Sequence, residues 1–384
     1  MADALSGKVA IVGVAESDRI GNVPDKSALQ LHAEGALNAL AEAGLGLSDV
    51  DAIFTAGVPT TEVAEYLGIV PRYTDGTSVG GSSFVIHVGH AATAIANGLC
   101  SVALITHGQS GRSRVGERSP PSGAGTIQGQ YETPFGLPSP VGAYALACTR
   151  HMHRYGTTRE QLAEIAVATR KWASMNPKAY MREPITVDDV LSSRPICWPF
   201  NLLDCCLVTD AGAGVVLTGV ERARDLKTRP VRVLGFGESH DHQFISQMPD
   251  LTAGPAQHSG RRAFEMAGLR PDEVDVAEIY DSFTYTVLLT LEDLGFCRRG
   301  EGGAFVSGQR TAPGGPFPLN THGGGLSYTH PGMYGIFTIV EAVRQLRHDY
   351  ADTPERQVGG ARIGLAHGTG GVLSATGTVV LARD

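Results

Sequence analysis

The chain has 384 residues, 42% of them hydrophobic and 18% charged, with a formal net charge of −8. That length and apolar content support a large core, in two or three domain-sized units or one fused double domain, and exclude a disordered tail. The acidic balance, with no long basic run, argues against nucleic acid as a partner.

The start, Met1 to Lys8, lacks the basic and apolar regions of a signal peptide. No stretch approaches the roughly 18 apolar residues of a membrane span. The six cysteines contain no Cys-x-x-Cys pair, so neither a zinc knuckle nor a redox motif is indicated. The expectation is a soluble protein of a reducing compartment, the cytoplasm. Val9 to Ala15 is a short β-rich apolar run, read as a fully buried strand. A helix is predicted from about Ser27, carrying Leu29, Ala33, Ala36, Leu37 and Leu40 and ending near Gly44. Val50 to Thr55 reads as a second strand, Gly80-Gly-Ser-Ser83 opens an apolar helix over about 84–97, and Ser101 to His107 is another strand. Strands alternating with helices predict parallel α/β layering.

A long insertion follows, over about 109–204. Its first part, 110–140, is rich in Gly, Ser, Pro and Arg and reads as a loop whose Arg112, Arg114 and Arg118 are solvated; 161–173 is predicted helical. The second half then repeats the first. Val231-Arg-Val-Leu-Gly-Phe-Gly-Glu238 echoes Val9-Ala-Ile-Val-Gly-Val-Ala-Glu16, and Ala267 to Asp275 echoes Ala43 to Asp51. Ile363-Gly-Leu-Ala-His367-Gly plays the part of Leu104-Ile-Thr-His107-Gly. This is an internal duplication, with halves placed at 1–220 and 221–384. The 49 glycines predict many tight turns and close backbone approaches. The pairs His151/His153 and His240/His242 lack a third ligand and read as surface or loop residues rather than a metal site.

The stretch that organises the chain is His322-Gly-Gly-Gly-Leu-Ser-Tyr-Thr-His330-Pro-Gly-Met-Tyr334-Gly, followed by a helical run over 336–348. Pro331 suits the first turn of a helix, which would set Tyr328 and His330 just before a helix N-terminus, where negative charge is favoured. Asn320 to Pro331 resembles the Gly-His-Pro loop of thiolases, above all the sterol-carrier-protein type, and the stretches 176–186 and 199–212 resemble that family too. The resemblance spans essentially the whole chain. It implies an α/β fold of two duplicated βαβ halves in five layers, α-β-α-β-α.

Thiolases of this type use a nucleophilic cysteine at a helix start, a His-Asp-Cys-Phe motif and the Gly-His-Pro histidine. Here the nucleophile position falls on Gly81, beside Ser82 and Ser83, and Cys100 lies beyond the helix. The second motif reads Tyr280-Asp-Ser-Phe283, and only His330 survives of the set. Glycine cannot hold an acyl group, and a serine nucleophile needs a base within reach. The chain therefore resembles the thiolase-like aldolases of steroid side-chain degradation, the lipid-transfer-protein-2 group, in which two tyrosines are held to be catalytic. By position those roles fall on Tyr285 and Tyr334, base and acid unassigned, with Tyr280 and Tyr328 as close competitors. His330 or nearby backbone N–H groups are expected to hold the thioester oxygen, with Tyr328, Gly324, Ser82 and the turn after His367 lining the substrate site. The expected reaction is retro-aldol cleavage of a β-hydroxyacyl-CoA, such as a 17-hydroxy steroid 20-carboxyl-CoA, to a ketone and a short acyl-CoA such as propionyl-CoA. No metal or redox cofactor is required, since CoA arrives with the substrate. The resemblance also implies a homodimer and a small OB-fold partner of the DUF35 family. The alternatives are a non-catalytic acyl-CoA or lipid-binding scaffold and an acyltransferase using Ser82 or Ser83.

Overall fold

A computed structural model describes residues 5–115, 125–137 and 140–383. The unbroken apolar run at the start forms β1 (Val9–Glu16), buried along nearly its whole length. Ser27 caps α1 (Ala28–Ala43): its hydroxyl accepts from Gln30 N–H, the Gln30 side chain accepts from Ser27 N–H, and Gly44 closes the helix at φ +75°. There follow β2 (Ala52–Thr55), α2 (Thr60–Leu67), β3 (Tyr73–Asp75), α3 (Ser83–Ala96) and β4 (Val102–Ser110). The insertion holds α4 (Ile127–Tyr131), α5 (Val141–Tyr155), α6 (Arg159–Ser174), α7 (Val187–Ser192) and a ribbon of β5 (Pro195–Cys197) and β6 (Phe200–Asn201). The loop expected over 110–140 is thus interrupted by α4, capped by the Thr126 hydroxyl on Gly129 N–H. Arg118 and the rest of 116–124 lie outside the described residues. Then come β7 (Asp210–Gly219), α8 (Val220–Ala223), β8 (Val231–His240), α9 (Ala256–Ala267), β9 (Val276–Ile279), α10 (Thr284–Asp293), α11 (Gly302–Val306), α12 (Ile336–Arg347), β10 (Ile363–Gly370) and β11 (Ala375–Arg383). Among the described residues no helix is long and apolar enough to cross a membrane.

The strand pairing carries the duplication. β2 runs parallel to β4, then β7 and β1 follow antiparallel; in the same way β9 runs parallel to β10, then β11 and β8 follow antiparallel. The sets meet where β1 pairs with β8 through Ala10–Arg232 and Ile11–Val231. Between them lie α3, packed on β4, β7, β8 and β11, and α12, packed on β1, β7, β9 and β10. α1 covers the outer face of the first set and α9 that of the second, which completes the five layers. The repeat extends to single atoms. A Cβ on Gly13 of β1 would stand 2.1 Å from the Ala39 carbonyl of α1, and one on Gly235 of β8 would stand 2.0 Å from the Ala263 carbonyl of α9. Each glycine lets its helix lie flush on the sheet.

Candidate active site

The site gathers at the N-terminal ends of α3 and α12, between the two strand sets. In the turn before α3 the Ser83 hydroxyl donates to Gly80 O at 2.6 Å and accepts from Val79 N–H at 2.9 Å, while the Ser82 hydroxyl reaches Val79 O at 3.5 Å. The partners of both serines are backbone groups rather than an imidazole or carboxylate that could serve as base. At Gly81, the nucleophile position, a Cβ would lie 2.1 Å from Tyr280 Cε2 and 2.8 Å from Thr369 O. The Tyr280 ring occupies the space a cysteine side chain would need.

Tyr280 follows β9 directly and is tied to β10 by its N–H on His367 O. Its hydroxyl lies 2.9 Å from His330 Nε2 and donates within 3.0 Å of Gly332 O. The Tyr334 ring stands edge-on to Tyr280 at 5.2 Å and nearly parallel to His330 at 5.9 Å, and its hydroxyl shares a short hydrogen bond with His322 Nε2. Tyr280, His330 and Tyr334 are 5%, 9% and 0% exposed, so His330 is the member nearest solvent.

The glycine run makes this arrangement. Gly323 and Gly324 sit at φ +103° and +57°, opening a π-turn (Gly324–Tyr328) that winds around the Asp281 carboxyl. Asp281 accepts from Gly325 N–H at 2.6 Å and Leu326 N–H at 3.1 Å, and a Cβ on Gly324 would stand 2.0 Å from its Oδ2. Burial pushes the Asp281 carboxyl up to about 7, against the pull of those two N–H donors. Pro331 does not start a helix: α12 begins at Ile336 with Gly335 as its cap, so Tyr328 and His330 precede a loop, and Tyr334 is the residue at the helix entrance.

Burial pushes the Tyr280 and Tyr334 phenols well above their usual range and pulls His330 down to about 4. The phenols therefore stand as neutral O–H donors, and His330 is a neutral imidazole with a lone pair to offer. A free tyrosinate base, which the sequence left open, does not suit these surroundings. A tyrosine–imidazole pair does.

The other expected residues lie elsewhere. Tyr285, in the first turn of α10, is fully buried in the outer layer: its hydroxyl donates to Leu251 O at 3.2 Å and its ring stands against His151 at 5.6 Å. The structure does not bring it to Tyr280, His330 and Tyr334, because the helix turns its side chain away from the central layer. Tyr328 donates at 2.7 Å to Glu16, which Arg344 grips bidentately and Lys178 meets at 3.1 Å, so Glu16 ties the glycine turn and α12 to β1, while the Tyr328 ring packs 5.0 Å from His322. His367 bonds Thr378 at 2.9 Å on the α9 side of the sheet, whereas a Cβ on the next residue, Gly368, would meet α3. Strand alternation thus turns His367 away from the site. Gly324 and Ser82 do border the site, through backbone packing. His151 is not a surface residue: it is fully buried between Thr157 and Glu292. The His242 side chain is likewise buried, bonded to Asp241 and to Val372 O. Among the described residues no group of three or more His, Cys, Asp or Glu could hold a metal. Arg112 is exposed and its guanidinium lies 5.7 Å over the Tyr180 ring.

Two residues that sequence reasoning assigned no role complete the cluster, Asp281 and His322. The signal for His322 was its place at the head of the glycine run; its contact with Tyr334 depends on the turn between them.

Residues 237–383 match the family described as thiolase C-terminal domain-like. The 17-hydroxy-3-oxo-4-pregnene-20-carboxyl-CoA lyase of Mycobacterium tuberculosis is 38% identical over 362 residues, covering 89% of this chain and 92% of that protein. The steroid side-chain-cleaving aldolase of Thermomonospora curvata is 36% identical over 91% of this chain and 93% of its own length. A solved structure described as Ltp2-ChsH2(DUF35) aldolase superposes with a TM-score of 0.90 at 33% identity, covering 99% of both chains.

Proposed function

We propose, for a chain that belongs to the thiolase superfamily in the sterol-carrier-protein-type branch with the steroid side-chain-cleaving aldolases, that it is a carbon–carbon lyase cleaving β-hydroxyacyl-CoA thioesters of the steroid side-chain type. The substrate in this reading is a 17-hydroxy steroid 20-carboxyl-CoA, and the products are a 17-ketone and propionyl-CoA. One observation carries it: the thiolase nucleophile position is Gly81, and the space beside it is filled by a tyrosine bonded to His330.

The chemistry needs a base for the hydroxyl proton and an acid for the carbon left behind. The Tyr280 hydroxyl turns its one proton from Gly332 O to His330 Nε2, and Tyr280 Oη takes the substrate hydroxyl proton as its own passes to the imidazole. The C–C bond breaks, the carbonyl forms, and the bonding pair moves into the thioester as an enolate. Tyr334, a neutral phenol, then protonates the α-carbon. No acyl-enzyme forms, in keeping with the backbone partners of Ser82 and Ser83. His330 thereby acts as the proton partner of Tyr280 rather than as a holder of the thioester oxygen. The same reading includes a DUF35-type partner, in line with the composition of the solved relative, a homodimeric core, a cytoplasmic location and no cofactor beyond the CoA of the substrate.

The test is turnover of the 17-hydroxy steroid thioester with a co-expressed DUF35 protein. Tyr280→Phe and Tyr334→Phe are each expected to lower kcat by about 10²-fold or more while the chain stays folded. Cleavage at the wild-type rate by both variants would overturn the assignment, and tight thioester binding with no turnover by the wild type would favour a scaffold.

A further inference from the structure

The Tyr280 hydroxyl is held by His330 and by Gly332 O, and the second hold leads to a residue that the cleavage step does not use. The loop between His330 and α12 is anchored at both ends. At one end His330 N–H donates to the Thr209 hydroxyl at 2.8 Å, and His330 O accepts from Thr209 N–H at 3.2 Å. At the other end Met333 N–H donates at 3.1 Å to Gln109 Oε1. Gln109 lies on β4, paired with Ala211 of β7 and two residues on from His107, so the two side chains share a strand face. The His107 ring meets Phe84 of α3 at 4.6 Å and Phe337 of α12 at 6.5 Å, which makes it the face toward those helices. Between the anchors stands Gly332 at φ +137°. A Cβ there would lie 2.5 Å from both Oε1 and Nε2 of Gln109, so only glycine admits the amide.

Gly332 O and Met333 N–H are the two ends of a single trans peptide group. Such a group is planar, and its C=O and N–H point to opposite sides. Gln109 accepts at the N–H end, and the Tyr280 hydroxyl donates to the C=O end at 3.0 Å. A rotation of this one peptide therefore breaks both bonds together. Glycine at 332 is the residue that would permit the rotation, because it adopts backbone angles closed to other residues. The peptide also carries polarity across: an acceptor on its N–H makes its carbonyl a better acceptor for Tyr280.

We propose that Gln109 is a positioning residue for Tyr280, acting through the Gly332–Met333 peptide. This deepens the lyase reading and rests on it for the part that Tyr280 plays. The Tyr280 hydroxyl has one hydrogen, which rests on Gly332 O and turns to His330 Nε2, 2.9 Å away, as the substrate proton arrives. Both acceptors have to stand where the phenol reaches them with its ring unmoved. Thr209 sets the backbone of one, and Gln109 sets the other. Without the Gln109 oxygen, Met333 N–H turns toward another acceptor and Gly332 O turns with it. Tyr280 then loses one of the two bonds that hold its ring beside Gly81.

The sequence supplies a direct test. Of the seven methionines, Met333 is the one that follows a glycine. A full chain with carbon-13 at glycine carbonyls and nitrogen-15 at methionine therefore gives one signal in a magnetic-resonance spectrum that selects bonded carbon-13–nitrogen-15 pairs. Tyr280→Phe is expected to move the Gly332 carbonyl resonance and Gln109→Leu the Met333 amide proton, and each is expected to move the other end as well. A carbonyl unmoved by Tyr280→Phe, or an amide proton unmoved by Gln109→Leu, overturns the proposal. The Tyr280→Phe comparison holds even where Gln109→Leu does not fold. The second arm is turnover of the 17-hydroxy steroid thioester with the co-expressed DUF35 protein. Gln109→Leu is expected to lower kcat about tenfold or more with KM changed less than about twofold. In the Tyr280→Phe background the same substitution is expected to cost no more than about twofold, because the hydroxyl it acts through is gone. Equal losses in both backgrounds, or wild-type kcat in Gln109→Leu, overturn the proposal. Failure of the wild type to cleave the thioester would instead end the lyase reading, and the resonance measurement would still report whether Gln109 and Tyr280 meet through this peptide.

Discussion

The Gly81→Ala variant puts the central packing argument at risk. The added Cβ would lie 2.1 Å from Tyr280 Cε2, and carbon atoms settle at about 3.5–4.0 Å, so the ring must withdraw by roughly 1.5 Å. It cannot escape backwards without leaving His330 at 2.9 Å and Gly332 O at 3.0 Å, the two partners of its hydroxyl. Thr369 O, 2.8 Å from the same Cβ, closes the other side and is backbone. Overpacking of this kind costs about 1–3 kcal/mol. A misplacement near 1 Å in a reacting group costs about 10²-fold in rate. The assay is kcat with the 17-hydroxy steroid thioester alongside a thermal melt. Gly81→Ala should melt a few degrees lower and lose turnover by about 10²-fold or more. Adding Tyr280→His, which shortens the ring, should restore the melting temperature without restoring turnover, a coupling expected of residues in contact. A Gly81→Ala protein with wild-type melting and wild-type kcat would refute the reasoning, since the tyrosine would then not occupy the place described.

Two further outcomes are expected. Tyr285→Phe removes only the bond to Leu251 O, so kcat should stay within twofold of wild type at a stability cost of about 1 kcal/mol; a loss of turnover like that of Tyr280→Phe would return Tyr285 to the site. Acid should unfold the protein early. Burial pulls His32 and His367 to about 3, His87 and His330 to about 4, and His107 well below its usual range. The unfolded chain binds more protons on these imidazoles than the folded one, so their contribution is complete above about pH 6.5 and is lost as pH falls toward 4. Asp281 and Asp293, pushed up to about 7 by burial, act in the opposite sense, as they release protons on unfolding in that window. Glu278, Asp204 and Asp349, also raised by burial, and His90, raised by its hydrogen bond to Asp75, act in the same sense as these aspartates. The five buried imidazoles set the sign as pH falls below about 6, where each is protonated only in the unfolded chain. Chemical denaturation between pH 6 and 4.5 should therefore show stability falling as pH falls, by about 1.4 kcal/mol per pH unit for each net proton taken up on unfolding; a flat profile would contradict the burial of these histidines.

The duplication was legible because it is written in short runs whose spacing survives, and Gly13 and Gly235 show the reason: each faces a helix backbone that tolerates no side chain. The loss of the thiolase nucleophile was legible as well, since a missing cysteine needs no geometry. Which tyrosine replaced it was not. Tyr280 and Tyr285 are five residues apart, but the strand end aims one at α3 and the first turn of α10 carries the other into the outer layer, and sequence distance is blind to that divergence. His367 was open to a better reading, because alternation along β10 already sets it opposite Gly368. The pinning of the glycine turn by Asp281 was out of reach, since it depends on a π-turn that local patterns do not announce. His322 and Gln109 escaped for the same reason: each meets its partner only once the fold has brought the two side by side.

The pairing of β1 with both β7 and β8 has a consequence for synthesis. β1 leaves the ribosome well before either partner, since its edges are met by residues 210–219 on one side and, at Ala10 and Ile11, by Val231 and Arg232 on the other. At roughly 5–20 residues per second the strand waits on the order of 10–40 s for its first neighbour, with an apolar run and unpaired backbone exposed in the meantime. Loop closure over such a span also slows folding once the chain is complete. Cooler expression, which weakens apolar association while the strand waits, is expected to raise the soluble yield.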